Sequence, residues 1–420
     1  MKPKGAGAAA AGPPREGGVL PYGRQAIDED DIARVAEVLR SDYLTTGPQV
    51  EAFESAFRSS VGADHAVACA NGTAALHLAM MALGLSPGEV CIVPAITFVA
   101  TANAARMVGA EVVFSDVDPE TGLMRPEDLE AALARADRGA LRLAAPVHLA
   151  GQTADLEGMA ALAESRGVRL IEDACHALGT RARAGDGRMT AVGACALAEA
   201  ATFSFHPVKT IACGEGGMVT TRDAAVARWM RRLRSHGIER DPESFRQDAL
   251  AFGPGGLANP WYHEMQDLGY NHRLSDIHCA LGISQLGKLA RFVAARRDLV
   301  AHYDRLLAGY APRLRPIGRA PGCEAGWHLY VVLIDFDALE TDRASVMRRL
   351  AERGVGSQVH YVPVYRQPYY EARYGAQSLP GAEAYYARAL SLPLFFGMGR
   401  SDVERVVEAL AEVLGMEGTG

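Results

Sequence analysis

Short apolar runs alternate with amphipathic helical patterns through the first half of this chain, from about residue 28 to residue 235. The apolar runs are typical of buried strands, and the segments between them carry apolar residues at helical spacing. This alternation predicts an α/β fold with a mostly parallel sheet covered by helices, because parallel strands need helix-length crossovers. The predicted strands are 66–70, 89–93, 112–117, 143–147, 168–172, 202–205 and 217–221, and the predicted helices are 72–85, 97–108 and 156–166.

The pattern changes near Asn271, and the second part of the chain is predicted to be α+β. The predicted elements there are a helical stretch with breaks at 274–310, a strand at 329–335, a helix near 344–352, a strand at 355–360 and terminal helices. A chain of 420 residues is too long for one ordinary core. We therefore expect a disordered tail at 1–18, a large domain at 19–270 and a smaller domain at 271–420. Residues 240–260 are expected to form a long surface loop.

Charge and cysteine usage exclude several classes of protein. The net charge is −7 without a long run of one sign, which disfavours nonspecific nucleic-acid binding. The seven cysteines are scattered, so neither a disulfide framework nor a zinc site is expected, and a cytoplasmic location is favoured. No apolar stretch reaches the length of a membrane span. The histidines show no metal-ligand spacing, so we expect no metal.

Lysine is rare in this chain, and one lysine lies in an apolar, β-rich segment. Only Lys2, Lys4, Lys209 and Lys288 occur among 43 lysines and arginines. A partly buried lysine can become a neutral amine, which attacks carbonyls and forms Schiff bases, whereas arginine stays protonated. Lys209 is therefore the candidate anchor for an aldehyde cofactor. Lys288 is equally isolated and has no evident chemistry, so scarcity alone also allows a structural role for Lys209.

The segment Asn71-Gly72-Thr73 follows a predicted strand and opens a predicted helix. Backbone N–H groups at such a junction bind anions, and the helix dipole favours a negative charge there. Gly72 lets the backbone approach a phosphate closely, and the Thr73 hydroxyl can donate to it. The alternative is an ordinary turn followed by a capped helix.

Asp173 ends a predicted buried strand in the segment Glu172-Asp173-Ala174-Cys175-His176. The carboxyl ends of parallel strands are where α/β proteins bind ligands. An aspartate there can keep a pyridinium nitrogen protonated, which makes the ring an electron sink. An isolated aspartate more often caps a helix or pairs with an arginine, and that alternative stays open.

Ser204 lies five residues before Lys209, and Gly214-Glu215-Gly216-Gly217 follows Lys209. The Ser204 hydroxyl can bind a phosphate, and the glycines permit a tight turn beside a ligand. The alternative is a strand, a proline turn and another strand with no ligand.

These motifs occur in the order that is typical of one enzyme family. The chain resembles the DegT-type nucleotide-sugar aminotransferases, which have the aspartate-aminotransferase fold (fold type I, a seven-stranded sheet) and bind pyridoxal 5′-phosphate. The resemblance covers roughly residues 20–414 and is strongest for the UDP-4-amino-4,6-dideoxy-N-acetyl-β-L-altrosamine transaminases of pseudaminic acid biosynthesis. The segments that carry it are 20–25, 42–48, 203–209, 234–238, 269–277, 327–332 and 358–361.

The resemblance implies a role for each residue around the cofactor ring. Lys209 would carry the cofactor covalently and move protons, and Asp173 would pair with the pyridine nitrogen. Phe98 would stack on the ring. His176 would lie near the ring oxygen or the ring face.

The resemblance also implies how the phosphate and the substrate are held. Gly72, Thr73 and Ser204 would hold the phosphate. Asn271 would reach it from the partner subunit, so the site would need a homodimer. The candidates for nucleotide or sugar contacts are Tyr22, Thr45, Arg234, His236 and Arg273.

The implied reaction is transfer of an amino group from glutamate to C4 of a UDP-4-keto-6-deoxy-N-acetylhexosamine, in a pathway that serves flagellin glycosylation. One alternative is another nucleotide-sugar 3- or 4-aminotransferase that acts on a GDP- or dTDP-keto-sugar. A dehydratase of the same fold typically has histidine where Lys209 stands. A non-catalytic regulator is disfavoured because Lys209, Asp173, Ser204 and Thr73 are all present.

Overall fold

The computed structural model describes residues 18–136, 141–184 and 187–416, so the tail predicted at 1–18 lies outside the described residues except for residue 18. The strands are β1 (His65–Cys69), β2 (Val90–Pro94), β3 (Glu111–Ser115), β4 (Leu141–Ala144), β5 (Arg169–Asp173), β6 (Arg181–Arg183), β7 (Met189–Ala191), β8 (Ala200–Ser204), β9 (Gly217–Thr221), β10 (Ile238–Glu239), β11 (Glu264–Met265), β12 (Leu314–Pro316), β13 (Cys323–Glu324), β14 (Tyr330–Ile334) and β15 (Ala389–Leu392). The helices are α1 (Glu29–Leu39), α2 (Pro48–Val61), α3 (Gly72–Ala82), α4 (Val99–Met107), α5 (Pro126–Arg135), α6 (Leu156–Ser165), α7 (Ala224–Arg234), α8 (Asp248–Ala251), α9 (Asp276–Leu286), α10 (Leu289–Leu307), α11 (Arg343–Glu352), α12 (Pro368–Tyr374), α13 (Pro380–Arg388) and α14 (Arg400–Leu414).

Seven strands form the central sheet in the order β1-β9-β8-β5-β4-β2-β3. The strands from β8 to β3 in this order are parallel, whereas β9 runs antiparallel to β1 and β8. The predicted mostly parallel seven-stranded sheet is confirmed, as are the strands and helices predicted for it. Because β2, β4, β5 and β8 are parallel, their carboxyl ends meet at one edge of the sheet, where α/β folds bind ligands.

Helix α3 lies in the core and packs on β8 and β9. Its side chains are apolar on nearly all sides, and a helix of that kind is stable only when it is buried. Asn71 caps the helix, because its Oδ1 accepts a hydrogen bond from the N–H of Ala74 at 2.8 Å. The helix therefore begins at Gly72, beside the carboxyl end of β8.

The second half of the chain contains an antiparallel sheet in the order β12-β14-β15. Helices α10 and α14 pack on each other, and α11 packs on α14. The predicted helical stretch at 274–310 corresponds to α9 and α10, which are separated by Gly287 and Lys288. The predicted strand at 329–335 and the predicted helix near 344–352 correspond to β14 and α11.

The strand predicted at 355–360 is wrong. Leu20 makes two backbone hydrogen bonds to the start of this segment. Its N–H donates to Gly354 O, and its carbonyl oxygen accepts from the N–H of Gly356, each at 2.8 Å. Gln358 instead pairs with Ser391 on β15. The segment crosses from one partner to another within four residues, so no ladder forms.

The prediction of a surface loop at 240–260 is wrong in part, because this segment contains a short 3-10 turn at Pro242–Ser244 and the helix α8. Asp241 caps the turn by accepting from the N–H of Glu243 at 3.1 Å. The Gly- and Pro-rich segment 253–256 is typical of a loop, so the sequence pattern did not predict the turn and the short helix before it.

All seven cysteines are free thiols. Within the described ranges, no helix has both the length and the apolar character needed to cross a membrane.

Candidate active site

A cavity of about 570 Å³ opens at the carboxyl ends of β5 and β8, beside the first turn of α3. Folding brings together in it three motifs that are far apart in the sequence. The predicted site residues that line it are Tyr22, Gly72, Thr73, Phe98, Asp173, His176, Ser204 and Lys209.

Asp173 is the last residue of β5 and is only 5% exposed. The hydroxyl of Thr101 on α4 donates to Asp173 Oδ2 at 2.7 Å, and the N–H of Cys175 donates to Oδ1 at 3.2 Å. The hydroxyl of Thr97 lies 2.8 Å from that of Thr101. Because Thr101 uses its one proton on Asp173, Thr97 donates to Thr101. These bonds hold the carboxylate in one orientation at the cavity wall.

Lys209 lies in the turn after β8, and its backbone N–H donates to His206 O at 2.8 Å. Its side chain lines the same cavity as Asp173. Among the described residues, its ammonium has no hydrogen-bond or ion-pair partner. Burial lowers the pKa of Lys209, with Cys175 and Asp173 acting in the opposite direction. A lowered pKa increases the share of the neutral amine, which is the nucleophilic form.

Lys288 has a different environment. Its ammonium contacts Asp28 and lies 2.8 Å from Asp31 Oδ1. Burial alone would lower the pKa of Lys288, but the hydrogen bonds to these two carboxylates outweigh burial and raise it. Of the two described lysines, only Lys209 therefore presents an amine without a partner.

The first turn of α3 forms the other end of the cavity. Because the cap is made by Asn71, the first N–H groups of the helix stay available to an external acceptor. A Cβ on Gly72 would stand 2.8 Å from Cβ of Ser204 and 3.3 Å from Sγ of Cys175. Glycine is therefore required at position 72 if the helix is to approach β8 this closely. The space between Gly72, Thr73 and Ser204 is the part of the cavity best suited to an anion.

Three buried histidines line the cavity wall: His176, His328 and His360. The rings of His176 and His328 lie 4.4 Å apart, and His176 Nε2 lies 3.1 Å from the hydroxyl of Tyr361. Burial, followed by the nearby charge of Lys209, lowers the pKa of all three, and that of His360 to about 3. The three imidazoles are therefore neutral hydrogen-bonding groups near neutral pH. The Nδ1 atoms of His176 and His328 have no partner in the described part of the chain.

Phe98 precedes α4 as its N-cap residue and is 57% exposed. Its ring centroid lies 6.1 Å from that of Tyr361 across the cavity. An aromatic ring that faces a cavity in this way can stack on a planar ligand.

The other predicted residues do not line this cavity: Thr45, Arg234, His236, Asn271 and Arg273. Arg234 and Arg273 line a separate cavity of about 370 Å³, where Arg234 Nη1 pairs with Glu54 at 2.6 Å. Thr45, His236 and Asn271 are exposed. Within one chain, folding does not bring these five residues to Lys209.

Sequence reasoning missed several residues that line the cavity: Thr97, Thr101, His328, His360 and Tyr361. Thr97 and Thr101 are four positions apart in the segment predicted as a helix at 97–108, where this spacing would put them on one face. The helix itself begins at Val99. That spacing was an available signal for Thr101. The histidines lie in segments 327–332 and 358–361, and the resemblance of these segments to the family implies no role for either histidine.

A family model described as the DegT/DnrJ/EryC1/StrS aminotransferase family matches residues 25–411 of the chain. The chain therefore belongs to this aminotransferase family. The fold is accordingly the aspartate-aminotransferase-like fold type I.

Solved structures of several aminotransferases are similar over nearly the whole chain. Helicobacter pylori PseC, an aminotransferase involved in the biosynthesis of pseudoaminic acid, is 27% identical with a TM-score of 0.83, over 94% of this chain and 99% of that chain. The PLP form of Spr1654 from Streptococcus pneumoniae, a putative sugar aminotransferase, is 26% identical with a TM-score of 0.83, over 94% and 99%. The aminotransferase TlmJ from Streptoalloteichus hindustanus is 29% identical with a TM-score of 0.82, over 94% and 99%.

The cofactor of this DegT-family aminotransferase is pyridoxal 5′-phosphate, and the residues of the cavity fit it. Lys209 offers an amine without a partner, as a covalent link to the aldehyde requires. Gly72, Thr73 and Ser204 offer an anion site, where a Cβ on Gly72 would collide with Ser204. Asp173 offers a buried carboxylate for the ring nitrogen.

Proposed function

We propose that this aminotransferase transfers an amino group from glutamate to C4 of a UDP-4-keto-6-deoxy-N-acetylhexosamine and forms UDP-4-amino-4,6-dideoxy-N-acetyl-β-L-altrosamine. The observation that carries the aminotransferase chemistry is the partnerless amine of Lys209 in one cavity with the buried carboxylate of Asp173. The similarity to PseC, an aminotransferase involved in the biosynthesis of pseudoaminic acid, supports a place in that pathway. The UDP-linked substrate and a role in flagellin glycosylation belong to the same proposal.

Lys209 acts as the proton carrier of both half-reactions. When bound, pyridoxal phosphate supplies an aldehyde carbon that accepts the amino group and a ring that withdraws electrons from the reacting carbon. The neutral amine of Lys209, favoured by its lowered pKa, removes the proton from Cα of glutamate. In the second half-reaction the ammonium of Lys209 delivers a proton to C4 of the sugar.

Asp173 and the histidines shape the electrostatics around Lys209. The buried Asp173, oriented by Thr101 and Cys175, would hold the proton on the ring nitrogen of the bound cofactor. His176 and His328 are buried and neutral, so they add hydrogen-bonding capacity without a second positive charge that would compete with that proton.

The nearest alternative is an aminotransferase with a different keto-sugar substrate. Spr1654 and TlmJ are as similar to this chain as PseC, so the nucleotide and the position of the keto group are open to experiment. A dehydratase of this fold or a non-catalytic regulator is disfavoured by Lys209, which is present together with its anion site.

A panel of keto-sugars with glutamate as donor tests the proposal. The UDP-4-keto-6-deoxy-N-acetylhexosamine should give aminosugar and 2-oxoglutarate in equal amounts, whereas GDP- and dTDP-linked keto-sugars should react much more slowly. A Lys209→Arg variant keeps the charge but cannot form the covalent link, and it serves as the negative control. Preferential turnover of a GDP- or dTDP-sugar, or of a 3-keto-sugar, would replace the proposed substrate.

We also propose that the enzyme is a homodimer with shared active sites. Asn271 is exposed and lies outside the cavity of its own chain. The segment before it exposes large apolar side chains, with Leu257 at 80%, Trp261 at 75% and Leu268 at 76%. Apolar surface of this kind marks interaction sites.

Mixing two inactive variants tests the shared site. If each site uses Lys209 of one subunit and Asn271 of the other, refolding Lys209→Ala together with Asn271→Asp should restore about one quarter of the activity, because half of the dimers then hold one intact site. No recovery in a mixture that sedimentation shows to contain heterodimers would place Asn271 outside the partner's site.

The division into domains 19–270 and 271–420 and a cytoplasmic location complete the proposal. Limited proteolysis should give fragments with ends near 270. Cleavage only within 240–260 would show that this segment is an exposed loop, and it would not support a domain boundary near 270.

A further inference from the structure

A second cavity, of about 460 Å³, lies on the other face of the central sheet from Lys209. Glu172 and Asp173 are successive residues of β5, so their side chains point to opposite faces of the sheet. Asp173 lines the cavity that contains Lys209, and Glu172 lines the second cavity. Strands β6 and β7 and the residues that precede β8 form part of its wall. The reaction proposed above uses no group in this cavity.

Glu172 is a buried carboxylate in which only one of the two oxygens accepts a hydrogen bond from a described residue. It is only 3% exposed. His148 Nδ1 accepts a hydrogen bond from the N–H of Ala154 at 3.2 Å, so the proton of this imidazole lies on Nε2. Nε2 therefore donates to Glu172 Oε2, at 3.0 Å. Glu172 Oε1 has no hydrogen-bond partner among the described residues. Because Glu172 lines the cavity, this oxygen is open to a ligand in the cavity that supplies a donor.

The charges around the cavity favour a cation. Besides Glu172, the lining carries the carboxylates of Asp118, Asp155 and Glu157, and the guanidiniums of Arg125 and Arg183. Arg125 is already held by Asp128 through two hydrogen bonds of 2.8 and 2.9 Å. The lining is therefore net negative.

The rest of the lining is largely apolar. Met124, Val192 and Leu197 are among the side chains that form it. A concave, apolar surface with one buried polar group is the usual form of a small-molecule site. The apolar wall suits a hydrocarbon body, and the polar group fixes where the head of the ligand lies.

We propose that this cavity is a binding site for a small organic ammonium compound with an apolar body. The ammonium donates a hydrogen bond to Glu172 Oε1, and the body packs against Met124, Val192 and Leu197. A charge-assisted hydrogen bond to a carboxylate that is only 3% exposed supplies both the charge selectivity and the orientation. This site is distinct from the amino-donor site, because the central sheet, which includes β5, lies between it and Lys209.

Calorimetric titration of the holoenzyme tests this proposal with N,N-dimethylbenzylammonium as the probe. A tertiary ammonium cannot form an imine with the cofactor. The probe therefore cannot react in the cavity that contains Lys209, and no such reaction contributes to the measured heat. We expect saturable binding with one site per chain. Benzyl alcohol and benzoate, which have the same ring without the positive charge, should bind at least about tenfold more weakly.

Three variants locate the site. Glu172→Gln keeps an oxygen that accepts from His148 but loses the charge. It should lower the affinity for the probe at least about tenfold. Leu197→Trp fills the cavity from its wall without touching the His148 pair, and it should abolish binding. Glu408→Gln removes an exposed carboxylate on α14 and should bind like the parent chain. Unchanged cofactor absorbance checks that each variant is folded.

Two results would overturn the proposal. One is the absence of saturable binding up to about 10 mM probe, which would leave a cavity filled by water alone. The other is equal binding to the parent chain and to Leu197→Trp, which would place the probe elsewhere. Neither result bears on the aminotransferase reaction, whose assay is independent of this cavity.

Discussion

The hydroxyl of Thr101 lies 2.7 Å from Oδ2 of Asp173 and joins helix α4 to the end of strand β5. Thr97, which precedes this helix, donates in turn to Thr101. Both hydroxyls are buried, with Thr101 at 0% and Thr97 at 2% exposure. Asp173 is thereby oriented by a chain of hydrogen bonds that involves no charged group. We therefore propose Thr101 as a positioning residue for Asp173, the carboxylate that we propose acts on the cofactor ring.

Replacing Thr101 with valine should lower kcat about tenfold or more with little change in KM, because a buried acceptor on Asp173 loses its donor. Thr101→Ser keeps the hydroxyl and should retain most of the activity. Steady-state kinetics of both variants, with the pH dependence of cofactor absorbance, make the comparison. A Thr101→Val enzyme with the kcat and the absorbance titration of the parent chain would show that this hydrogen bond is not needed.

The Asp173→Asn variant should keep its cofactor and lose most of its activity. Asparagine has nearly the same shape but carries no charge to hold the proton on the ring nitrogen. Its single oxygen can accept from Thr101 or from Cys175, but not from both. Loss of a stabilising charge in a buried site typically costs about 10²–10³ in kcat. Asp298→Asn, at an exposed ion pair with Arg400, is the matched control. Near-normal turnover by Asp173→Asn would remove Asp173 from this role.

The Gly72→Ala variant should bind pyridoxal phosphate more weakly, by about tenfold or more. The new Cβ would stand 2.8 Å from Cβ of Ser204, and relief of such overpacking displaces the first turn of α3 from the anion site. Cofactor titration of the apoprotein, followed by absorbance, measures the effect. Gly255→Ala is the control, since a Cβ there has open space around it. Equal cofactor affinities for the two variants would contradict the phosphate site.

The buried histidines make the fold sensitive to acid. The pKa of His360 is about 3 in the folded chain, against about 6.5 in an unfolded chain. Between these values the unfolded state binds more protons, so the free energy of unfolding falls as the pH decreases from about 6.5 toward 3, by up to about 1.4 kcal/mol per pH unit. The lowered pKa values of His176 and His328 act in the same direction.

Urea unfolding of the apoprotein at several pH values measures this dependence. His360→Asn should flatten it between about pH 6.5 and pH 4.5, because one titrating group is removed. His263→Asn, at an exposed position, should leave it unchanged. The same slope in both variants would show that His360 does not control acid stability.

Most of the fold follows from local sequence patterns. Strands such as β5 and helices such as α3 carry their own hydrophobic periodicity, and the parallel sheet follows from their alternation. The segment at 355–360 was predicted incorrectly because its two partners, Leu20 and Ser391, lie far away in the sequence. A strand depends on partners that local patterns do not reveal.

The same distinction applies to the site. Lys209, Asp173 and Gly72 lie in motifs whose chemistry is visible in the sequence. Thr101 is separated from Asp173 by 72 positions, so its role depends on how α4 packs against β5. The pairing of Lys288 with Asp28 and Asp31, which distinguishes it from Lys209, is likewise visible only in three dimensions.

Borohydride reduction of the holoenzyme, followed by peptide mapping, identifies the amine that carries the cofactor. Reduction fixes the cofactor to whichever amine carries it. The account predicts a single phosphopyridoxyl group, on Lys209, and none on Lys288, whose ammonium is paired with Asp28 and Asp31. A label on Lys288, on another amine, or on no residue of the chain would contradict the account.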